Sequence, residues 1–106
     1  NYTKELQEKH GIKVINFGHA GDGNVHTVLM KEELDDSTWQ TRRKALLDDL
    51  YRKVAELGGL PSAEHGIGIM KKAYFNTMSD PVELEVMRKI KNALDPKCIF
   101  NPGKLF

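Results

Sequence analysis

Residues 14–30 read VINFGHAGDGNVHTVLM, and this stretch decides the fold of the N-terminal half of the chain. Two β-rich runs, Val14 to Phe17 and Val25 to Met30, flank the glycine-dense connection Gly18 to Asn24. Branched and aromatic side chains favour strands, whereas closely spaced glycines favour a tight connection. The pattern predicts a hairpin or two neighbouring strands.

Helical patterns surround these two runs, at residues 3–10, 36–57, 69–78 and 81–94. Two of them begin with the spacing of a capping box, in which side chains satisfy the free N–H groups of the first turn: Ser37 with Gln40, and Asp80 with Glu83. Between the second and third patterns, residues 60–63 predict a short extended piece. The order of elements predicts an α+β fold with helices packed on a small antiparallel sheet.

Composition restricts the classes of function. The chain has 106 residues with 16 Lys and Arg against 15 Asp and Glu, and this balance gives no electrostatic reason to expect a nucleic-acid partner. Its one cysteine, Cys98, excludes a disulfide within the chain, so we expect a reducing, cytoplasmic setting. The length fits a single domain spanning residues 1–106. Because the chain begins at Asn1 without a methionine, we expect a piece of a longer protein.

Three of the four histidines lie in glycine-rich clusters, and they point to a metal site. His19 and His26 flank the turn around Asp22, and a tight turn can bring the two imidazoles face to face. Glu64 and His65 lie in a second glycine-rich bend. Two imidazoles and one carboxylate are a ligand set typical of a catalytic divalent metal, with Asp22 as an acceptor behind an imidazole N–H.

Other interpretations of these residues remain open at this point. Histidines beside glycines often cap turns, and an Asp between two glycines needs no function to explain it. Adjacent residues in an extended backbone point to opposite faces, so one of Glu64 and His65 could bind the metal while the other faces the substrate. The phosphate-loop motif is excluded because Asn24 and Val25 replace the required Lys-Ser/Thr, and the dinucleotide motif is excluded because its third glycine is absent after Gly66 and Gly68.

Three motifs occur in order along the chain: GHAGDGNVH at residues 18–26, SAEHGIG at 62–68, and Asp95-Pro96 followed by FNPGK at 100–104. Together they closely resemble the C-terminal part of the FAD-linked oxidases of the vanillyl-alcohol-oxidase superfamily, of the glycolate oxidase and D-lactate dehydrogenase type. The resemblance covers nearly the whole chain. It implies the end of a ferredoxin-like α+β cap domain, a C-terminal fragment without the FAD-binding domain.

The resemblance also implies roles for individual residues. His19, His26 and Glu64 match the metal-binding residues of such enzymes, with zinc or manganese as the expected ion. His65 matches the catalytic base, and Asn101 lies near the flavin. Flavin adenine dinucleotide (FAD) would be bound mainly by the missing domain, and the partners would be the rest of the flavoenzyme and a small substrate.

The function expected from this resemblance is oxidation of a small 2-hydroxy acid, glycolate or D-lactate, to the 2-oxo acid by metal-assisted deprotonation and hydride transfer to flavin. Val28 stands where the hydroxyglutarate branch has an Asn, which favours a substrate without a distal carboxylate. The fragment alone is expected to be inactive and to self-associate into a homo-oligomer. The alternatives are a non-catalytic metal-binding or assembly module and, more weakly, a metallohydrolase; the parent enzyme could also be peripheral to a membrane.

Overall fold

A computed structural model describes residues 2–106, which divide into two compact units. The first unit runs to Glu56, and the second comprises Leu57–Phe106. No helix in the described residues is both long enough and apolar enough to cross a membrane.

The first unit is a β-hairpin with two helices packed against it. Its elements, in order, are helix α1 (Tyr2–His10), strand β1 (Lys13–His19), a single 3₁₀ turn (Ala20–Asp22), strand β2 (Asn24–Met30) and helix α2 (Asp36–Glu56). The two strands pair antiparallel from Lys13 opposite Met30 to His19 opposite Asn24. The predicted hairpin is therefore confirmed.

The core of this unit lies where the helices meet the sheet. Leu6 of α1, Ile12 and Leu46 of α2 are almost completely buried and form one cluster. Val14 and Leu29, one from each strand, pack against that cluster. Full burial of a leucine contributes about 1.5–3 kcal/mol, so this small cluster accounts for much of the attachment of the helices to the hairpin.

A buried carboxylate joins α1 to α2. Asp49 is 8% exposed and accepts hydrogen bonds from Lys9 Nζ at 2.7 Å, from His10 Nε2 at 2.8 Å and from Arg52. These bonds, from Lys9 foremost and then from His10 and Arg52, hold the pKa of Asp49 well below its usual range, although burial opposes them. The polar surroundings of His10 in the sequence suggest a surface residue, but its side chain is only 10% exposed because it faces Asp49.

The N-terminus of α2 is capped two residues earlier than the capping-box pattern predicts, by Asp35 instead of Ser37. The carboxylate of Asp35 accepts from Thr38 N at 3.0 Å and from the Ser37 hydroxyl at 2.7 Å. The Asp35 carbonyl also accepts the first helical bond, from Trp39 N. Ser37 therefore lies inside the helix and donates to the cap, because the carboxylate of Asp35 reaches the free N–H groups first.

The second unit contains helices α3 (Lys72–Met78) and α4 (Pro81–Leu94). Asp80 caps α4 as predicted, since its side chain accepts from Val82 N at 2.7 Å and Pro81 follows it. The predicted extended piece at residues 60–63 is not a strand, and within residues 57–106 no strand is present to pair with it. The helix predicted over 69–78 begins three residues late, at Lys72.

The predicted fold class, α+β with helices on a small antiparallel sheet, is confirmed. The sheet has two strands within the described residues. Much of the apolar stripe of α4 is exposed: Leu84 is buried, but Ile90 is 55% exposed and Leu94 is 79% exposed. The second unit thus carries an apolar surface that its own residues leave uncovered.

Candidate functional site: a histidine pair and a C-terminal loop

The hairpin brings His19 and His26 together. In the register Phe17 lies opposite His26, and His19 lies opposite Asn24, so the two histidines are diagonal neighbours on the same face of the sheet. Their ring centroids are 5.8 Å apart, and the rings are nearly perpendicular at 78°. The prediction that the turn brings the two imidazoles together is confirmed, although the rings meet edge to face and not face to face.

Two glycines make this arrangement possible. At Gly18 the φ angle is +155°, and a Cβ atom there would lie 2.2 Å from the carbonyl oxygen of Asn24 on the paired strand. Gly23 closes the turn in the left-handed region, with φ +66°. Side chains are excluded at Gly18 by contact and disfavoured at Gly23 by backbone conformation, so both glycines serve the spacing of the histidines.

Phe17 is a member of this cluster that sequence reasoning missed. Its ring stacks on His26 at 5.1 Å between centroids, with 26° between the planes, and fixes one face of that imidazole. Phe17 is 59% exposed, although it lies on a strand of a small sheet. Its position two residues before His19, and hence on the same face of β1, is the signal that could have identified it.

Asp22 ends the 3₁₀ turn between the two histidines and is exposed. Its role as an acceptor behind an imidazole stays a prediction.

The second unit carries Glu64 and His65 in a bend of the chain. Glu64 Oε1 lies 3.4 Å from His65 Nε2, and both side chains are largely exposed. The expectation that the two side chains point to opposite faces is wrong, because the backbone bends here instead of running extended, and Gly66 follows with φ +71°. The pair therefore forms one polar site that offers an imidazole and a carboxylate side by side.

The C-terminal tail is tied to the segment that follows this pair. Leu105 N donates to the carbonyl of Gly68 at 3.1 Å, and Lys72 Nζ donates to the carbonyl of Gly103 at 3.4 Å. The tail contains Asn101, the residue expected near the flavin, whose φ is +48°. The Glu64–His65 bend and the loop around Asn101 thus belong to one connected part of the second unit.

An open apolar groove of about 820 Å³ lies beside this tail. Its apolar walls are one face of α4 and the end of the chain, and they consist of Met87, Ile90, Leu94, Phe100, Leu105 and Phe106. Lys91, Asp95, Asn101 and Lys104 supply the polar part of the lining. Asn101 thus contributes a polar side chain to a largely apolar lining.

The donor chemistry of the candidate residues fits a divalent metal. Two ligands on one zinc ion lie within about 4 Å of each other, because each Zn–N bond is about 2.0–2.1 Å. The His19 and His26 rings, at 5.8 Å between centroids, are close enough for one nitrogen of each to reach a shared ion. Imidazole nitrogen suits zinc, and a carboxylate such as that of Glu64 suits zinc or manganese.

Comparison with known proteins identifies the class. The family of C-terminal domains of FAD-linked oxidases matches residues 1–105. The chain therefore belongs to this family, as the three motifs and the α+β fold predict, and the family is by its description linked to FAD.

Individual relatives carry several names. A D-lactate dehydrogenase of Anaerostipes hadrus is 38% identical over 104 residues, covering 98% of this chain and 22% of the relative. Subunit GlcD of the glycolate oxidase of Bacillus subtilis is 34% identical, with 96% of this chain and 22% of the relative covered. A D-2-hydroxyglutarate dehydrogenase of Xanthomonas citri is 42% identical, with 88% of this chain and 20% of the relative covered. The chain thus spans about a fifth of these relatives, and the identities do not select one of their substrates.

Proposed function

We propose that the chain is the C-terminal part of the cap domain of an FAD-dependent enzyme that oxidises a small 2-hydroxy acid, glycolate or D-lactate, to the 2-oxo acid. The observation that carries the proposal is the His19–His26 pair, which the hairpin holds with the ring centroids 5.8 Å apart in a chain of the FAD-linked oxidase family. Relatives named for oxidation of lactate, glycolate and hydroxyglutarate support a 2-hydroxy acid as the substrate class.

In this proposal His19, His26 and Glu64 hold a divalent cation, zinc or manganese. Bound there, the cation would act as a Lewis acid that binds the substrate carboxylate and 2-hydroxyl and increases the acidity of that hydroxyl. The stacking of Phe17 on His26 restricts that ring to one orientation, which lowers the entropic cost of ligation. Exposed histidines without such support would have to be ordered at the moment of binding.

His65 is the proposed general base. A base must reach the hydroxyl proton at hydrogen-bond distance, and an exposed imidazole in a bend can meet a substrate from outside. Glu64, 3.4 Å from His65 Nε2, helps to orient the ring. A shift in the position of Glu64 would therefore affect both the ion and the base.

Flavin, held mainly by a separate domain, would accept the hydride from C2 of the substrate. Asn101 is proposed to contact it from the C-terminal loop. A short polar side chain in the lining of a largely apolar groove can donate a hydrogen bond to, or accept one from, a heterocycle whose flat faces are apolar.

Val28 supports a substrate without a second carboxylate. It lies two residues after His26 on β2, so its side chain is on the same face of the sheet as the histidine. A valine there is 38% exposed and offers no hydrogen bond to a distal carboxylate. We expect Val28→Asn to improve the use of D-2-hydroxyglutarate relative to D-lactate.

The function is tested by anaerobic reduction of the flavin in the holoprotein, meaning the FAD-loaded parent enzyme proposed to contain this chain. The reduction is monitored by stopped-flow absorbance. Glycolate, D-lactate, L-lactate and D-2-hydroxyglutarate serve as substrates, and His65→Gln and Lys89→Met serve as the variant and its control. Reduction by a small 2-hydroxy acid, slowed about 10²–10⁴-fold in His65→Gln and unchanged in the control, is the expected result. Failure of all four acids to reduce the flavin would contradict the function, and an unaffected His65→Gln would contradict the assigned base.

The same experiment decides the alternative of a non-catalytic metal-binding or assembly module. The exposed apolar surface of α4 is the observation that favours assembly. We propose that the segment by itself turns over no substrate and self-associates through that surface. A monomer by light scattering at high concentration would argue against self-association.

A further inference from the structure

Asp95, directly after α4, is a buried carboxylate in a unit with few buried residues. It is 5% exposed, and its two oxygens accept from the main chain of the following loop: Oδ1 from Ile99 N at 2.9 Å and Oδ2 from Phe100 N at 3.0 Å. Lys91, one turn earlier on α4, donates to Oδ2 as well. Burying a carboxylate is costly unless it is paired, and here every partner comes from α4 or from the loop that leads to Asn101.

Lys91 and Asp95 hold the same residue of the loop from both sides. The Asp95 carboxylate accepts from the N–H of Phe100, and Lys91 Nζ donates to the carbonyl of Phe100 at 2.7 Å. The bond from Lys91 and, less strongly, those from the two main-chain N–H groups keep the pKa of Asp95 below its usual range, so the carboxylate stays charged. The residue immediately before Asn101 is therefore fixed by two charge-assisted bonds, each stronger than an ordinary hydrogen bond.

The loop needs such support because its backbone is unfavourable. Cys98 (φ +50°) is in the left-handed region, which costs energy for most residues other than glycine, and Asn101 (φ +48°), a residue type that this region tolerates better, lies there too. A helix can end without a buried ion pair, since a glycine cap alone satisfies its last carbonyls. The cost of burying the Lys91–Asp95 ion pair is explained if the pair fixes the direction in which the Asn101 side chain leaves the loop.

We propose that Lys91 and Asp95 are positioning residues that hold Asn101 in place for its contact with the flavin. The proposal rests on the cofactor contact proposed above for Asn101. It adds that the contact depends on two side chains that touch neither flavin nor substrate and act only through the Phe100 main chain.

The test uses the FAD-loaded holoprotein, four single variants and the double variant that combines Lys91→Met with Asn101→Ala. Asp95→Asn keeps the size of the side chain and removes its charge, Lys91→Met keeps the stem and removes the donor, and Asn101→Ala removes the side chain being positioned. Lys89→Met is the matched control, because Lys89 is an exposed lysine on α4 that pairs with Glu85. Should Asp95→Asn fail to fold, Lys91→Met carries the test alone.

Two readouts are measured. Hydrogen exchange of the peptide covering residues 96–104 should be about tenfold faster in Lys91→Met and Asp95→Asn, and unchanged in Lys89→Met. The visible absorption spectrum of the bound flavin and its reduction potential should shift in both variants and in Asn101→Ala. In the Asn101→Ala background, Lys91→Met should cause no further shift, because its effect passes through Asn101.

The outcomes separate this proposal from the one on which it rests. Unchanged exchange in both variants, or a flavin shift from Lys91→Met that persists in the Asn101→Ala background, would overturn the positioning role. The positioning role would also be overturned if Lys91→Met and Asp95→Asn exchanged faster but left the flavin spectrum and potential unaltered, while Asn101→Ala shifted them. An Asn101→Ala variant with wild-type flavin properties would instead refute the cofactor contact of Asn101, and with it this inference.

Discussion

Gly18 is the position where a single added methyl group should force the two strands of the hairpin apart. In Gly18→Ala the added Cβ would lie 2.2 Å from the carbonyl oxygen of Asn24 and 3.1 Å from Cα of Val25. Both neighbours are main-chain atoms of the paired strand, so no side-chain rotation relieves the contact. The strands must move apart by about 1 Å to restore an ordinary carbon–oxygen distance.

The expected loss of stability follows from two contributions. The φ of +155° belongs to a region used almost only by glycine, and holding another residue there costs about 1–3 kcal/mol. Forcing apart a packed pair of strands costs a further 1–3 kcal/mol or so. We expect Gly18→Ala to lower the free energy of unfolding by about 2–6 kcal/mol, a large part of the 5–15 kcal/mol typical of a domain.

Gly21→Ala is the matched control, since it adds the same methyl group in the same connection. Its Cβ would meet nothing within 4 Å, and Gly21 is not among the residues with positive φ. Denaturant unfolding monitored by circular dichroism, with both variants measured beside the wild type, gives the two differences. A loss below about 0.5 kcal/mol in Gly18→Ala, or equal losses in both variants, would refute the close-approach explanation of the hairpin.

Three further predictions concern the stability of the folded chain. Leu46→Ala should cost about 2–5 kcal/mol in denaturant unfolding because Leu46 is 0% exposed and its removal leaves a cavity, whereas Leu57→Ala, at a residue that is 76% exposed, should cost little. Asp49→Asn should flatten the acid limb of the curve of unfolding free energy against pH. The pKa of Asp49 is lower in the folded state, so the stabilisation from its carboxylate is complete above the unfolded pKa near 4 and is lost as the pH falls below that value. An unchanged acid limb would contradict this. Asp35→Ala should lower the melting temperature more than Ser37→Ala does, because Asp35 caps α2. The reverse order would instead support Ser37 as the cap, as the capping-box pattern predicts.

The hairpin and its histidine pair were predictable because the information is local. Strand-forming residues on both sides of a glycine-rich turn leave few alternatives, and a register that pairs Phe17 with His26 then makes His19 its diagonal neighbour. The helix positions were predictable from apolar spacing for the same reason. The choice between Asp35 and Ser37 as the cap of α2 was not, because both residue types are good caps and only the path of the chain decides which one reaches the free N–H groups.

Burial was harder to predict than secondary structure. His10 looks like a surface residue within a polar helix, yet it faces the buried Asp49 from 39 positions away in the sequence. Asp95 is recognisable as a helix stop, but its hold on Phe100 depends on left-handed backbone at Cys98, which no residue preference indicates. Such contacts depend on the folded path of the chain and are not encoded in spacing.

The metal content of the dialysed holoprotein, measured by inductively coupled plasma mass spectrometry, tests the central claim most directly. The comparison is between wild type, His26→Ala and His10→Gln, in which a histidine outside the hairpin is replaced. About one zinc or manganese per chain in wild type and in His10→Gln, lost in His26→Ala, is the predicted result. A wild-type holoprotein without metal, or a His26→Ala variant that keeps it, would contradict the claim that the hairpin histidines bind the ion.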